Sequence, residues 1–174
     1  MKGLSWNKVW SLPALVIAFI VIADQWTKYI ILHSSVLQSG EKVEVIPTFF
    51  HIVCVKNPGA AWGILSNHTS MLALVSGAVF IFMTVYYHQL TASLIECCVA
   101  ISLIMGGIAG NFIDRVYYGT VVDFLSFTYK SFEWPAFNIA DSAICVGMAI
   151  YLISSLLRPD HSKTVHASAA IQTR

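Results

Sequence analysis

Two short motifs pair an amide side chain with a carboxylate three residues later: Asn111 with Asp114, and Asn138 with Asp141. A third carboxylate, Asp123, lies between them in the apolar stretch Val-Val-Asp-Phe. Residues three apart on a helix are neighbours, so each amide is expected to share a face with its carboxylate. Because an ionisable group near hydrocarbon costs at least ~2.5 kcal/mol on insertion scales, aspartates among apolar segments indicate a functional site.

Paired carboxylates in a partly desolvated site can divide acid and base roles between them. Both cannot easily ionise, so one pKa rises and the pair shares a proton. One carboxylate can then activate a water while the other polarises a peptide carbonyl, which hydrolyses an amide without a covalent intermediate. The sequence has no Gly-x-Ser-x-Gly motif and no His-Glu-x-x-His motif. The pattern therefore favours carboxylate chemistry over a serine nucleophile or a zinc site.

Neighbouring basic residues separate the aspartates. Asp24 and Lys28 are four residues apart on one helix face, which predicts a structural ion pair. Arg115 directly follows Asp114 and is expected to hold that carboxylate ionised and engaged. The other two aspartates of the motifs above have no Lys or Arg within three positions, which leaves them as candidates for catalysis.

The composition is that of a membrane protein. The 174 residues are 57% hydrophobic and 11% charged, with a mean hydropathy of +0.71, whereas soluble domains average about 25% charged. A formal net charge of +1 gives no reason to expect a nucleic-acid partner. The four cysteines show no Cys-x-x-Cys spacing, and the sequence assigns them no role.

Four apolar segments predict membrane-spanning helices at about residues 12–32, 70–87, 94–113 and 137–157. At about 1.5 Å per residue, such helices can cross a hydrocarbon core about 30 Å thick. The first segment also resembles a secretory signal peptide, since Val-Ile-Ala precedes Asp24, but the helical pattern continues to Leu32 and favours a span. The predicted fold class is an α-helical integral membrane protein with four transmembrane helices.

The segments between the predicted spans have distinct compositions. Residues 34–68 contain short stretches rich in β-branched side chains, which predict a small extracytoplasmic β-rich section. Residues 117–135 are polar and aromatic, which predicts an interfacial aromatic loop. Residues 88–93 leave room only for a turn. Residues 1–157 are treated as a single membrane domain, and the tail 158–174 is expected to be cytoplasmic and disordered.

Four antiparallel spans would place both termini on one side of the membrane and gather seven of the nine acidic residues on the other. Lys and Arg divide five to five between the sides, which alone decides no orientation. Lys28 and Arg115 each lie within helix distance of an acid, and setting them aside as structural partners favours cytoplasmic termini. The acidic motifs are then predicted to lie at the outer leaflet.

These residues fall into five motifs that resemble, in order and in number, the sequence boxes of bacterial lipoprotein signal peptidase, also called signal peptidase II. The motifs are Asp24-Gln25-x-x-Lys28, Asn57-x-Gly59-Ala60-Ala61-Trp62-Gly63, Gly106-Gly107-x-x-Gly110-Asn111-x-x-Asp114-Arg115, Val121-Val122-Asp123-Phe124 and Phe137-Asn138-x-Ala140-Asp141. One box would be weak evidence, but five in register are specific. A departure is Trp62, where the family more often has Phe.

The resemblance implies a membrane aspartic endopeptidase of the bacterial inner membrane. Such an enzyme cleaves a prolipoprotein on the N-terminal side of its diacylglyceryl-modified cysteine and uses no metal or organic cofactor. The implied partners are this lipidated substrate and membrane lipid, with no nucleic acid. The oligomeric state stays open.

The matched boxes also imply residue roles. The catalytic pair maps onto Asp123 and Asp141, with Asp114 as the competing candidate. Substrate-binding or supporting positions are Asn57, Gly59, Asn111, Asp114, Arg115 and Asn138, and positions that maintain folding or site integrity are Asp24 and Lys28.

Two other functions can account for membrane-embedded acids. A proton-coupled transporter would use them as a relay and predicts acids distributed across the membrane depth. A non-enzymatic scaffold would use them to fix helix packing, and predicts that replacing Asp123 or Asp141 by Asn destabilises the protein more than it silences an activity.

Overall fold

The computed structural model describes residues 6–59, 65 and 68–157. Its helices are α1 (Trp6–Leu32), α2 (Ser35–Gln38), α3 (Thr69–Val85), α4 (Tyr87–Thr91), α5 (Ile95–Tyr118) and α6 (Ile139–Leu156). Its strands are β1 (Val43–Ile46), β2 (Phe50–Asn57), β3 (Val121–Tyr129) and β4 (Phe132–Phe137). The predicted tail at 158–174 and the motif residues 60–63 lie outside the described residues.

Among the residues that the structure describes, three helices are long and apolar enough to cross a membrane. They are Ser11–Leu32 within α1, α5 and α6, with mean hydropathies of 1.7, 1.7 and 1.8. The segment predicted as the second span corresponds to α3, which is apolar but shorter, at 17 residues. Three spans therefore have the expected length and composition, and the crossing by α3 stays a prediction.

Helix α5 lies between α1 and α6, and small residues let the three backbones approach closely. A Cβ added at Gly110 would lie 2.6 Å from the Asp24 carboxylate on α1. About one turn earlier on α5, a Cβ at Gly107 would collide with the Ala140 carbonyl on α6. Glycine at both positions removes this obstacle, as in other closely packed membrane helices. The packing brings the end of α1 and the start of α6 against the polar end of α5.

The four strands form one antiparallel sheet in the order β1-β2-β3-β4. The 34–68 section contributes β1 and β2, as its β-branched composition predicted. The predicted aromatic loop is instead the hairpin β3–β4, whose Val, Phe, Thr and Tyr residues favour strands. In the register of the sheet, Asp123 on β3 pairs with Val55 on β2.

An apolar core attaches the sheet to the helices. Ile31 at the end of α1 and Leu37 on α2 pack with Val122 and Phe124 on β3, and all four are buried. Since Asp123 lies between two of these anchored residues, its side chain is directed away from the core by the alternation of a strand.

Two predicted boundaries are wrong for local reasons. The third span was expected to end at 113, but α5 continues to Tyr118 and ends at Gly119, whose φ of +70° suits a residue without a Cβ. Asp114 and Arg115 therefore lie inside a helix. The turn expected at 88–93 is mostly helical, because α4 forms a short helix that is closed by Ala92 at a φ of +46°.

Candidate active site

Asp123 is held by two side-chain amides. Asn57, at the end of β2, donates to its Oδ2 at 3.0 Å, and Asn138, before α6, donates to its Oδ1 at 2.7 Å. The residue is 3% exposed. None of the ion pairs among the described residues includes Asp123, so its direct hydrogen-bond donors are neutral amides.

Asp141 lies in the first turn of α6 and forms a capping box with Asn138. The Asn138 side chain accepts from the Asp141 amide at 2.9 Å, and Asp141 Oδ2 accepts from the Asn138 amide at 3.2 Å. Asn111 on α5 donates to Asp141 Oδ1 at 2.7 Å. The helix N-terminus adds a field that favours negative charge at this carboxylate.

Asn138 is common to both carboxylates. Its side-chain amide reaches Asp123, its backbone amide reaches Asp141, and the same side chain donates to Asn111 Oδ1 at 3.2 Å. Asn138 is fully buried. Its place at the helix cap, rather than on a helix face with Asp141, lets one residue set the relative positions of the two aspartates.

Asp24 and Asp114 have a different environment, because both share the cation Lys28. The Lys28 Nζ lies 2.8 Å from Asp24 Oδ2 and 2.8 Å from Asp114 Oδ2, and it donates to Asn111 Oδ1 at 3.1 Å. Asp24 and Asp114 are fully buried and Lys28 is 2% exposed. The predicted Asp24–Lys28 pair is confirmed, with a third charge that sequence spacing did not predict.

This ion cluster also fixes the backbone beside each catalytic candidate. Asp114 Oδ2 accepts from the Val122 amide at 3.1 Å, directly before Asp123. Asp24 Oδ1 accepts from the Ala140 amide at 2.9 Å, directly before Asp141. One buried cluster therefore supports both sides of the carboxylate pair.

Sequence reasoning gave Gln25 no role, although it belongs to the first motif. Its side-chain amide donates to Asp114 Oδ1 at 2.8 Å and to Asp24 Oδ2 at 3.2 Å. The signal available was a polar amide next to an aspartate within an apolar span, where an unsatisfied amide would be costly.

The predicted pairing of Arg115 with Asp114 is wrong. The Arg115 guanidinium donates to the carbonyls of Asn111 at 3.3 Å and Gly59 at 3.2 Å, while the cation on Asp114 is Lys28. Adjacent helical residues do not face each other, so sequence adjacency placed Arg115 on the wrong partner. By contacting Gly59, whose amide donates to Asn57 Oδ1 at 2.9 Å, Arg115 supports the chain that follows β2.

Both catalytic candidates line a cavity of about 490 Å³. Its other lining residues include Asn57, Gly59, Asn111, Arg115, Trp134, Phe137 and Ile144. Neither Asp24 nor Asp114 is among the residues that line it. Asp123 and Asp141 can therefore meet a ligand in this cavity, whereas the ion cluster lies behind them.

Burial raises the pKa of Asp123 to about 6, and the nearby Asp141 carboxylate raises it further against the two amide hydrogen bonds, which lower it. Near neutral pH this carboxyl can therefore exchange a proton, as the acid–base role requires. Among the residues that the structure describes, no group of three or more His, Cys, Asp or Glu side chains is arranged to hold a metal ion.

Comparisons with known proteins agree with the sequence motifs. A family model described as signal peptidase (SPase) II matches residues 16–157. A lipoprotein signal peptidase of Syntrophotalea carbinolica is 42% identical over 144 residues, which cover 80% of this chain and 88% of that protein. One from Staphylococcus aureus is 38% identical over 149 residues, which cover 86% of this chain and 90% of the relative.

A solved structure has the same architecture. It is a bacterial membrane enzyme determined by the in meso method at 2.3 Å resolution, with a TM-score of 0.75 and 38% identity. The match covers 83% of this chain and 87% of the solved chain. The five ordered motifs, the family match over most of the chain and this shared fold show that the chain belongs to the signal peptidase II family of membrane peptidases.

Proposed function

We propose that the protein is an aspartic endopeptidase that removes the signal peptide from diacylglyceryl-modified prolipoproteins, with Asp123 and Asp141 as its catalytic residues. One observation supports this most strongly: both carboxylates accept hydrogen bonds from one buried residue, Asn138, and both line one cavity. The relatives named above, which are lipoprotein signal peptidases, support the choice of substrate.

The environments suggest which aspartate carries the proton. Asp123, whose pKa is raised to about 6, is assigned as the acid that polarises the scissile carbonyl. Asp141, at the N-terminus of α6 and with donors from Asn111 and Asn138, is assigned as the ionised base. This division follows the rule that two neighbouring carboxylates cannot both ionise easily.

The proposed reaction conserves protons through two steps. A water held between the carboxylates attacks the scissile carbonyl carbon, Asp141 takes a proton from the water, and Asp123 gives its proton to the carbonyl oxygen. Asp141 then protonates the amide nitrogen as the C–N bond breaks, and Asp123 recovers the proton from the hydroxyl group. The products are a signal peptide with a carboxyl terminus and a lipidated cysteine with a free amine.

Asp114 was the competing candidate for the dyad. It is fully buried, accepts from Lys28, Gln25 and the Val122 amide, and does not line the cavity. These three donors all belong to the protein itself. These contacts favour a supporting role for Asp114 and leave the catalytic role to Asp123.

The proposed topology has four spans, cytoplasmic termini and the active site at the outer leaflet of the inner membrane. It includes α3, whose 17 residues at about 1.5 Å each approach the ~30 Å hydrocarbon thickness. The gathering of the four aspartates at one end of α1, α5 and α6 fits a site at one membrane interface better than a relay across the bilayer. A lipidated substrate anchored in the bilayer would reach such a site without being extracted.

The test is cleavage by the purified protein in detergent of a diacylglyceryl prolipoprotein and its non-lipidated twin. We expect cleavage of the lipidated form alone, and its loss in Asp123→Asn and Asp141→Asn. Glu44→Gln, at an exposed acid on β1, is the matched control and is expected to retain activity. Full activity in Asp123→Asn would transfer its role to Asp114, and no cleavage of a lipidated precursor would refute the peptidase assignment.

A further inference from the structure

A second cavity of about 490 Å³ lies on the sheet side of Asp123. It shares Asn57, Asp123 and the β4 residues 134–136 with the active-site cavity described above. The two cavities therefore meet at the carboxylate assigned as the catalytic acid. A peptide whose scissile bond lies at Asp123 can extend into both.

The linings of the two cavities differ. The active-site cavity is lined in part by α5 and α6, including Ile144 and Cys145 of the apolar helix α6. The sheet-side cavity is lined by strand residues and by the charged side chains of Glu41, Lys42 and Glu133. One cavity opens toward helices that suit hydrocarbon, and the other lies within the extramembrane sheet.

An ion pair joins the two edges of the sheet across this second cavity. Lys42 precedes β1 and Glu133 lies on β4, at opposite edges of the four-stranded sheet. Their Nζ and Oε1 atoms are nevertheless 2.8 Å apart, so the sheet curves until its edges approach. The Lys42 hydrogen bond and charge lower the pKa of Glu133, which keeps the pair charged at neutral pH.

This ion pair is suited to open and close. The side chains of Lys42 and Glu133 are 51% and 54% exposed, so water screens their attraction. It contrasts with the buried ion cluster of Lys28, which water does not reach.

The sheet register gives the reach of the cavity. Asp123 pairs with Val55, and Val43 pairs with Ile52, so Lys42 lies two strands across from Asp123 and about two residues along. With about 4.8 Å between strands and about 3.3 Å per residue, about 12 Å separates the two backbones. Three or four extended residues span that distance.

A lipoprotein precursor has two different chains on either side of its scissile bond. The preceding signal peptide is apolar, whereas the residues after the lipidated cysteine lead into a polar mature chain. We propose, resting on the peptidase function above, that the sheet-side cavity binds the first three or four residues after the lipidated cysteine, which enter between the sheet edges when the Lys42–Glu133 pair opens. The charges that line the cavity then influence which mature sequences are cleaved fastest.

The experiment compares two diacylglyceryl prolipoproteins that differ only in the second to fourth mature residues, which are Lys in one and Asp in the other. The measured quantity is the ratio of kcat/KM for the Lys substrate to that for the Asp substrate. It is determined for the wild type, Lys42→Glu, Glu133→Lys and the control Lys130→Glu. The control makes the same charge change at an exposed hairpin residue that does not line the cavity.

We expect Lys42→Glu to raise the ratio and Glu133→Lys to lower it, each by at least about threefold, because each reverses one charge on the lining. Lys130→Glu should leave the ratio at the wild-type value, and high salt should reduce both shifts. Thermal melts of the variants confirm that they are folded.

An unchanged ratio in both cavity variants, with normal cleavage by the wild type, overturns this inference and leaves the peptidase function standing. An equal shift in Lys130→Glu also overturns it, because the effect would then come from general surface charge. Failure of the wild type to cleave either substrate overturns both proposals.

Discussion

Four of the five aspartates meet at one end of the helices, but they form two pairs with contrasting surroundings. Asp24 and Asp114 are fully buried and share the cation Lys28. Asp123 and Asp141 accept hydrogen bonds from neutral side-chain amides, and both line a cavity. In the first pair the aspartates contact a cation and line no part of the cavity. In the second pair they accept hydrogen bonds from amides and line the cavity. Their partners, rather than the residue type, distinguish the buried carboxylates of the ion cluster from the two that we propose as catalytic.

The largest expected effect is a loss of catalysis when either Asp123 or Asp141 is changed. Asp123→Asn and Asp141→Asn each remove a proton-transfer group, so kcat should fall by about 1,000-fold or more. The melting temperature should stay within about 3 °C of the wild type, since each change keeps the shape of the side chain and removes no ion pair. Cleavage assays and thermal melts measure the two quantities. A large loss of stability with little loss of kcat would support the scaffold alternative.

Removing the cation that Asp24 and Asp114 share should mainly reduce stability. Lys28→Met leaves two buried carboxylates without a cation, and the free energy of unfolding should fall by about 3–5 kcal/mol. The matched control is Lys42→Met, which breaks an exposed pair and should cost less than about 1 kcal/mol. Thermal or denaturant unfolding in detergent measures both. Equal stability of the two variants would contradict the contrast between buried and exposed pairs.

Asn138→Ser changes the residue that hydrogen-bonds to both Asp123 and Asp141. Serine is a good N-cap, so α6 should keep its start, but the side-chain donor to Asp123 is lost. We expect kcat to fall by about 100-fold through misplacement of the dyad, with little change in the melting temperature. Retention of full kcat would show that the Asn138 amide does not set the position of Asp123.

The smallest expected effect is on the pH profile. The pKa of Asp123 is raised to about 6, and the proposed mechanism needs this group protonated, so kcat/KM should fall as pH rises above about 6. The hydrogen bond from Asn57 lowers that pKa, so Asn57→Ala should raise it and move the decline to higher pH. Initial rates over a pH series measure the shift. Movement to lower pH would contradict the assignment of Asp123 as the acid.

The same raised pKa has a defined effect on stability. Because the folded value lies above the ordinary value of 3.8, ionised Asp123 opposes folding in full above a pH of about 6. This cost declines as pH falls from about 6 to 3.8, and it is absent at lower pH. The ionised form of Asp123 opposes folding, whereas the proposed mechanism starts from its protonated form.

Local spacing predicted the contacts that stay within one helix turn. The Asp24–Lys28 pair follows from an i,i+4 spacing, and the structure confirms it. The addition of Asp114 to that pair is a contact across helices, which no spacing within one segment specifies. For the same reason the sequence assigned Arg115 to its neighbour and missed its contact with Gly59.

The hairpin β3–β4 shows how one composition supports two readings. Its aromatic residues are typical of a membrane interface and predict a loop there. The same residue types, aromatic and β-branched, also favour strands, and pairing with β2 decides the outcome. That pairing joins segments separated by more than sixty residues, as in Asn57 with Val121, so it is settled by the tertiary fold.

The hydrogen bond from the Ala140 backbone amide to the Asp24 carboxylate joins residues 116 positions apart. Helix α1 leaves the ribosome before α6, which is the last of the described helices in the chain. Until α6 has been inserted, Asp24 lacks that donor, and the chain has neither Asn138 nor Asp141. The proposed mechanism requires Asp141, so a partly translated chain that lacks α6 is not expected to cut the precursors around it.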